Sequence, residues 1–409
     1  MNNSHSQQDD PYYIDFPNRV AACQSEMASQ GLDLLIGSRL RTISWLSDIF
    51  CPWRSFIIIP PKGKPTLLSF IIDTARIANE SWLGQDYVQG YGPMEGMDQI
   101  PALTDCIQKI TQKSQIRIGV ESGMSNYLPE GFLTHYEYMA LQSAFPKAEL
   151  INAYSIIDKI SLIKDQGTIN RFREAARIVD VGHQAIFDVL STGRYKGMTE
   201  TEISGIASFA MRKEGSEWEW SFTGGNEIAS GYRTAYELGC CTPATRKKVK
   251  PGEALMIDIH SLFKLCMGDH AHNYFLEKAT NSQLTHANHF IDLVSLCLKS
   301  YKPGITPSTL AEIMMTAAQE KGCSEFLVPG FEHGIGMLGD EWRIGINNGP
   351  LPFWTNPDHS YQEGEIVICG MQYNCPNEQI GFRYENPILI TKNGCDPMSK
   401  YPLGIEVIS

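Results

Sequence analysis

Four ionisable residues in the second half of the chain lie inside or beside apolar, strand-like stretches. Asp258 falls within Ala-Leu-Met-Ile-Asp-Ile and Asp269 follows eleven residues later, while His333 precedes Gly-Ile-Gly and Glu385 precedes Asn-Pro-Ile-Leu-Ile. A buried carboxylate is costly unless it is paired with a charge or bound to a cation. The stretches therefore predict either a fold that gathers these side chains around a divalent metal, for which carboxylate and imidazole are suitable ligands, or strands whose carboxylates stay solvated or salt-bridged.

The composition is that of an ordinary globular protein. The 409 residues are 43% hydrophobic, and 34 Lys and Arg stand against 46 Asp and Glu, which gives a formal net charge of -12. Such a length allows two or three domains of about 150 residues each. An acidic chain without a cluster of Lys and Arg lacks the electrostatic footprint for phosphate backbones, so we expect no nucleic-acid partner.

The sequence also indicates where the protein resides. No apolar run approaches the roughly 20 residues that a membrane helix requires, and the polar N-terminal stretch lacks the basic and apolar regions of a signal peptide. The 11 cysteines are scattered without a Cys-x-x-Cys motif, a pattern typical of reduced thiols. We therefore expect a cytoplasmic protein with no membrane partner.

Hydrophobic periodicity divides the chain into two parts, with a hinge near 158–165 and expected domains of 1–160 and 161–409. The first part alternates helices and strands as a small α/β domain does, with a helix over 16–30 and strands over 32–36, 55–60, 66–70 and 116–120. The second part is predicted to be α+β, with helices over 168–192, over 282–300 and after Pro307, and strands within 222–277 and 364–391.

Four motifs together resemble a known family. They are Leu162-Ile-Lys-Asp, Asp258-x(10)-Asp269, His333-Gly-Ile-Gly and Tyr384-Glu-Asn-Pro-Ile-Leu-Ile-Thr-Lys-Asn-Gly. In order and spacing they resemble the pita-bread family of creatinase, prolidase and aminopeptidase P, and the likeness extends over nearly the whole chain. The resemblance implies an α+β pita-bread catalytic domain preceded by an α/β creatinase-type N-terminal domain, assembled as a homodimer.

The resemblance also implies a metal site. The peptidases of the family bind two metals through two Asp, one His and two Glu, and four of these ligands fall on Asp258, Asp269, His333 and Glu385. The implied cofactor is a divalent metal, namely Mn, Fe or Zn. The penultimate Glu of the family falls on Gly370, so one of the two metal positions loses a ligand, while the other, served by Asp258, Asp269 and Glu385, stays complete.

Two further histidines of the family's peptidases are replaced as well. Their places, seventeen residues before Asp258 and seven residues after His333, hold Cys241 and Asp340. In the peptidases these imidazoles hold the scissile carbonyl and pass protons near neutral pH. The resemblance therefore implies that ordinary Xaa-Pro peptidase activity is absent.

Several segments resemble members of this fold that act on small molecules. Gly339-Asp-Glu-Trp342 resembles the Asp-Glu-Trp of dimethylsulfoniopropionate lyases, whose Asp removes a proton beside a carboxylate, and ectoine hydrolases also have an Asp followed closely by Trp. Burial raises the pKa of a carboxyl group and makes it a better base. Asp340 is accordingly the candidate base, and a surface helix cap or ion pair is the alternative.

The candidate substrate-binding residues come from the same comparison. Ser230-Gly-Tyr-Arg233 and Pro52-Trp-Arg-Ser55 resemble segments of the lyases, so Arg233 or Arg54 is expected to clamp a carboxylate unless it is simply a surface arginine. Trp342 offers an apolar wall or a cation-π face for an onium group. Trp53 and Cys241 complete the set, although Cys241 also fits the description of a buried inert thiol.

These features predict an enzyme with a small-molecule substrate. We expect C–N bond hydrolysis in a small zwitterionic carboxylic acid, with Asp340, His333 and Glu385 as the catalytic residues. Two alternatives stay open. One is a metal-dependent lyase that cleaves dimethylsulfoniopropionate or a similar onium acid by β-elimination, and the other is a non-catalytic binding protein.

Overall fold

The computed structural model describes residues 10–92, 98–113, 115–123, 131–218, 225–236, 242–328, 333–341 and 358–409, with the backbone alone for Asp340. The chain forms two compact units, one of Ile14–Leu162 and one of Ile163–Ser409 together with the first residues up to Tyr13. In the second unit, the carbonyls of Pro11 and Tyr12 accept hydrogen bonds from Asn170 and Arg171. Among the described residues no helix is long and apolar enough to cross a membrane.

A mixed six-stranded sheet forms the centre of the first unit. Its strands are β1 (Leu34–Gly37), β2 (Phe56–Ile59), β3 (Thr66–Phe70), β4 (Val88–Tyr91), β5 (Arg117–Val120) and β6 (Glu149–Asn152). Their order is β4-β3-β2-β1-β5-β6, and β1 pairs antiparallel with β2 but parallel with β5. The central strand is completely buried at Leu34, Leu35 and Ile36, as expected for a strand covered on both faces.

Helices accompany this sheet, so the α/β character predicted for the first part is confirmed. They are α1 (Phe16–Ser29), α2 (Leu40–Ser47), α3 (Thr74–Glu80), α4 (Gln99–Ile110), α5 (His135–Ala144) and α6 (Ser155–Ile160). The side chain of Asp15 accepts a hydrogen bond from the backbone N–H of Asn18 and caps α1, which satisfies one of the amides that a helix start leaves open.

The second unit is α+β, as predicted. Its strands are β7 (Glu227–Ser230), β8 (Ala254–Phe263), β9 (Cys266–Leu276), β10 (Leu327–Val328), β11 (His333–Gly336), β12 (Gly339–Glu341), β13 (Ile366–Ile368), β14 (Met371–Cys375), β15 (Ile380–Tyr384), β16 (Pro387–Thr391), β17 (Gly394–Pro397) and β18 (Ile405–Ile408). Among the described residues they form three sheets, ordered β18-β9-β8-β7, β12-β11-β13-β16-β17 and β10-β14-β15.

The helices of this unit are α7 (Gln166–Ser191), α8 (Glu200–Lys213), α9 (Asn281–Ser300) and α10 (Pro307–Glu320). Asp165 caps α7 by accepting a hydrogen bond from the N–H of Thr168, and the carbonyl of Ala175 accepts one from the hydroxyl of Ser261 on β8. This contact seats α7 against the β8–β9 hairpin. The periodicity predicted α7, α9 and α10 but missed α8.

Candidate functional site

The two aspartates lie on the adjacent strands of one hairpin. β8 and β9 pair antiparallel with His260 opposite Asp269, and both strands are almost entirely buried. Lys264 and Leu265 form the connecting turn with φ angles of 45° and 66°, the positive values that a type I′ hairpin requires. Because side chains alternate along a strand, Asp258 and His260 share one face of β8.

His333 and Glu385 reach the same region from two other strands. His333 begins β11, and its Nδ1 donates a hydrogen bond of 2.9 Å to the carbonyl of Gly334, which makes Nε2 the basic nitrogen of the ring. Glu385 directly follows β15, and its carbonyl accepts a hydrogen bond of 3.1 Å from the N–H of Ala271 on β9. This backbone contact brings Glu385 beside the hairpin that carries the aspartates.

The side chains form two overlapping sets of potential metal ligands that share Asp269. One set is Asp258, His260 and Asp269, the other is Asp269, His333 and Glu385, and the donor atoms of each set lie within 4.8 Å of one another. All five residues are buried. The Oδ1 atoms of Asp258 and Asp269 have no hydrogen-bond partner in the described part of the chain. Buried, unpartnered carboxylate oxygens beside imidazoles fit a divalent cation.

A buried arginine compensates part of the negative charge. Nη1 of Arg383 donates hydrogen bonds of 2.6 Å to Glu227 and 2.8 Å to Asp258, and Nε donates one of 3.0 Å to Gln372. The same Nε lies 3.9 Å from a carboxylate oxygen of Glu385. While the guanidinium holds Oδ2 of Asp258, Oδ1 of the same carboxylate lies 3.7 Å from Nε2 of His260.

The carboxylates influence one another strongly because water is largely excluded. Burial raises the pKa of Asp258 to about 6, and burial together with Asp258 and Asp269 raises the pKa of Glu385 well above its usual value. Burial acts in the same sense on Asp269, but the neighbouring His260 outweighs it and lowers the pKa of Asp269. Burial disfavours a charged His260, yet the adjacent aspartates raise its pKa to about 10. The cluster is therefore suited to bind positive charge.

The chain matches the models of two known protein families. The model of metallopeptidase family M24 matches residues 170–392, more than half of the chain and including all five cluster residues. The chain belongs to metallopeptidase family M24. The model of the creatinase/prolidase N-terminal domain matches residues 19–163. The predicted architecture, a creatinase-type N-terminal domain followed by a pita-bread domain, is thereby confirmed.

Relatives of this M24 protein differ in how much of the chain they cover. An Xaa-Pro dipeptidase of Pyrococcus horikoshii is 26% identical over 69% of this chain and 74% of its own. The ectoine hydrolase of Halomonas elongata is 22% identical over 95% and 96%, and the creatinase of a Bacillus species is 21% identical over 93% and 89%. The solved prolidase of Pyrococcus horikoshii superposes with a TM-score of 0.77 at 20% identity, over 94% of this chain and 99% of its own, which supports the fold.

The M24 ligand set implied by the sequence resemblance is incomplete at Gly370. This glycine lies between β13 and β14 and offers no side chain to a metal. Its neighbour Cys369 does not take over the role, because its Sγ lies 3.9 Å from Sγ of Cys297 within the apolar core. A metal in this M24 protein therefore depends on the remaining residues of the cluster.

The predicted substrate-binding arginines already have acidic partners. Nε of Arg233 lies 3.1 Å from a carboxylate oxygen of Glu200, and Arg54 donates two hydrogen bonds of 2.8 and 2.7 Å to Glu137. Either arginine must exchange its partner if it is to clamp a substrate carboxylate. Trp53 is 51% exposed and lies, like Arg54, in the unit of Ile14–Leu162. Substrate binding by these residues stays a prediction.

Three predicted site residues are left, namely Cys241, Asp340 and Trp342. Cys241 and Trp342 lie outside the described residues. The backbone of Asp340 belongs to β12, where it pairs with Ile335 of β11. Next to it, Glu341 forms a buried ion pair of 2.7 Å with Lys164, which fixes β12 at the start of the second unit.

His270 and His272 belong to neither donor set. Nδ1 of His270 lies 3.0 Å from Nε2 of His183 on α7, and Nε2 of His272 lies 2.9 Å from a carboxylate oxygen of Glu406. Because side chains alternate along a strand, both histidines face away from Asp269, in agreement with these contacts.

Three residues at the site are absent from the set expected from the sequence. They are His260 of the cluster and the adjoining ion pair of Arg383 and Glu227. The available signal was a spacing of two, since Asp258 and His260, like Arg383 and Glu385, are two positions apart and so share a strand face.

Proposed function

We propose that this M24 protein hydrolyses a C–N bond in a small zwitterionic carboxylic acid and is not a general Xaa-Pro peptidase. The observation that carries the proposal is the buried convergence of Asp258, Asp269, His333 and Glu385 in a chain that has Gly370 where the implied peptidase set has a carboxylate. The relatives named for ectoine hydrolysis and creatine hydrolysis support it, because they align along nearly the whole chain.

These side chains would hold a divalent metal, which would supply Lewis-acid polarisation of the scissile group and make water a better nucleophile. Hydrolysis forms one C–O bond, breaks the C–N bond and moves a proton from water to the departing nitrogen. The residues of the chain must position the substrate and carry that proton.

Asp340 is the proposed proton carrier. Residues opposite each other in an antiparallel pair share a face of the sheet, and position 340 stands opposite Ile335. His333 and Ile335 are two positions apart and share that face as well. Position 340 therefore lies on the strand that pairs with β11, the strand that begins at His333, which favours a role for Asp340 near the cluster.

The substrate class follows from charge. A cyclic amidine or guanidino acid carries both a carboxylate and a cationic C–N group, and the acidic cluster attracts the cationic part. An arginine is the usual partner for the carboxylate, and Arg233, which lies in the same unit as the cluster, is the proposed candidate. Trp342 is the proposed aromatic surface for the cationic group.

A substrate panel tests the proposal. The purified full chain, supplied in turn with Zn, Mn or Fe(II), is incubated with ectoine, creatine, Gly-Pro and dimethylsulfoniopropionate, and products are followed by proton NMR. We expect hydrolysis of a zwitterionic cyclic amidine or guanidino acid and no cleavage of Gly-Pro. Efficient cleavage of Gly-Pro overturns the proposal.

Variants refine the test. Asp340→Asn should abolish turnover because the proposed proton carrier is lost. Asp396→Asn is the matched control, since Asp396 is a partly exposed residue paired with Arg173 and Lys400. Equal loss of activity in both variants contradicts a specific role for Asp340.

A β-eliminating lyase is the second candidate, and the segment Gly339-Asp-Glu-Trp342 is the feature that favours it. Release of dimethyl sulfide from dimethylsulfoniopropionate would identify the lyase. Failure on every compound of the panel favours the non-catalytic binding protein.

A further inference from the structure

His260 stands between the two aspartates of the hairpin. It shares a face of β8 with Asp258 and is paired in register with Asp269. Its Nε2 lies 3.7 Å from Oδ1 of Asp258 and 3.4 Å from Oδ1 of Asp269. The ring is buried, so the nitrogen faces the two carboxylates rather than solvent.

These separations are too long for charge-assisted hydrogen bonds, which measure about 2.7–2.9 Å. Neither Oδ1 atom has a hydrogen-bond partner among the described residues. Two atoms that each lie about 2.0–2.1 Å from a shared tetrahedral ion are separated by roughly 3.4 Å. The spacing of Nε2 and the two oxygens is therefore that of ligands around a common metal.

The other side chains of the cluster offer few ligand atoms for such a metal. Arg383 holds Oδ2 of Asp258 at 2.8 Å, so Asp258 brings a single oxygen to the site. Gly370 brings none. A further donor is needed, and His260 is the buried side chain in place to supply it.

We propose that His260 is a direct metal ligand, which together with Asp258 and Asp269 holds a first metal ion. An imidazole beside two carboxylates favours Zn over the oxygen-preferring Mg and Mn. The inference concerns metal binding alone and holds whichever substrate the protein acts on.

Zinc binding by the full chain, stripped of metal with a chelator, tests the proposal. The Kd is measured by competition with a chromophoric chelator, and imidazole coordination is counted by X-ray absorption with one equivalent of ZnCl2. His260→Gln should weaken the affinity by more than about 100-fold, the upper end of what loss of an outer-shell partner costs, and remove the imidazole signal. His272→Gln is the control, since His272 is a buried imidazole of β9 outside both donor sets, and it should bind zinc like the wild type.

Two results overturn the proposal, namely unchanged affinity and imidazole signal in His260→Gln, or a wild-type protein that binds no zinc.

A second variant, His333→Gln, decides the matter if His260→Gln does not fold. It leaves the set of Asp258, His260 and Asp269 intact, so the first zinc should still bind with one imidazole. Disappearance of the imidazole signal in His333→Gln would assign the metal to the other set and refute the role of His260. Failure of the substrate panel leaves these readouts untouched.

Discussion

Replacing Arg383 with methionine should destabilise the second unit strongly. The guanidinium is the hydrogen-bonded counter-ion of both Glu227 and Asp258, at 2.6 and 2.8 Å, and its side chain is only 2% exposed. Removing one partner of a buried ion pair leaves an uncompensated charge and costs about 3–5 kcal/mol. Because two carboxylates lose their partner here, we expect a loss at the upper end of that range at pH 8.

The loss should depend on pH in a definite direction. Burial already raises the pKa of Asp258 to about 6, and loss of the positive charge of Arg383 raises that pKa further in the variant. An acid whose folded-state pKa exceeds its unfolded value of about 3.9 binds more protons when folded, so stability falls as pH rises between the two pKa values. The variant should therefore be less impaired at pH 5 than at pH 8.

Urea unfolding of metal-free protein, followed by circular dichroism, measures both effects. Arg173→Met is the control, because Arg173 forms an exposed pair with Asp396 and such pairs contribute about 0–1 kcal/mol. The double variant Glu227→Gln with Arg383→Met should recover part of the stability, since one of the stranded charges is gone. A loss below about 1 kcal/mol at pH 8, or one equal to that of Arg173→Met, refutes the reasoning.

Three further changes have defined outcomes. Burial lowers the pKa of His183 to about 3, so the free energy of unfolding of the wild type should fall as pH drops below about 6.5, by up to about 1.4 kcal/mol per pH unit from this residue. In urea titrations the stability of His183→Phe should decrease less steeply with falling pH, and an identical dependence on pH contradicts this. Lys164→Met breaks the buried pair with Glu341 and should cost about 3–5 kcal/mol in chemical denaturation while lowering turnover; full activity would show that β12 does not depend on this pair. Gly268→Ala places a methyl group against the carbonyl of Ala175 and should lower stability by about 1–3 kcal/mol in the same assay, whereas unchanged stability would show that α7 can shift at no cost.

Local sequence predicted the elements that have strong periodicity. The helix expected over 16–30 is α1 (Phe16–Ser29), and the one expected over 168–192 is α7 (Gln166–Ser191). α8 was missed because its buried stripe consists of Ile203, Ala207 and Met211, with only two large side chains. The capping box of Thr199 and Glu202 was the signal that could have revealed it.

Sequence motifs predicted some residues of the candidate site but not all of them. The spacing of Asp258 and Asp269, together with the family resemblance, pointed to residues that the fold does bring together. The pairing of Arg383 with Glu227 joins residues that are 156 positions apart, and nothing local indicates which strands come into contact. The position of His260 likewise depended on the register of β8 with β9, which a single sequence does not specify.

The reaction proposed for this M24 protein is hydrolysis of a C–N bond of a small zwitterionic acid at the buried acidic cluster. The most direct measurement runs the reaction in water enriched in oxygen-18 with the compound of the panel that is turned over, and analyses the products by mass spectrometry. Hydrolysis predicts one oxygen-18 atom in the product for each C–N bond cleaved. A product without the label, formed together with an alkene, would contradict the account and identify an elimination.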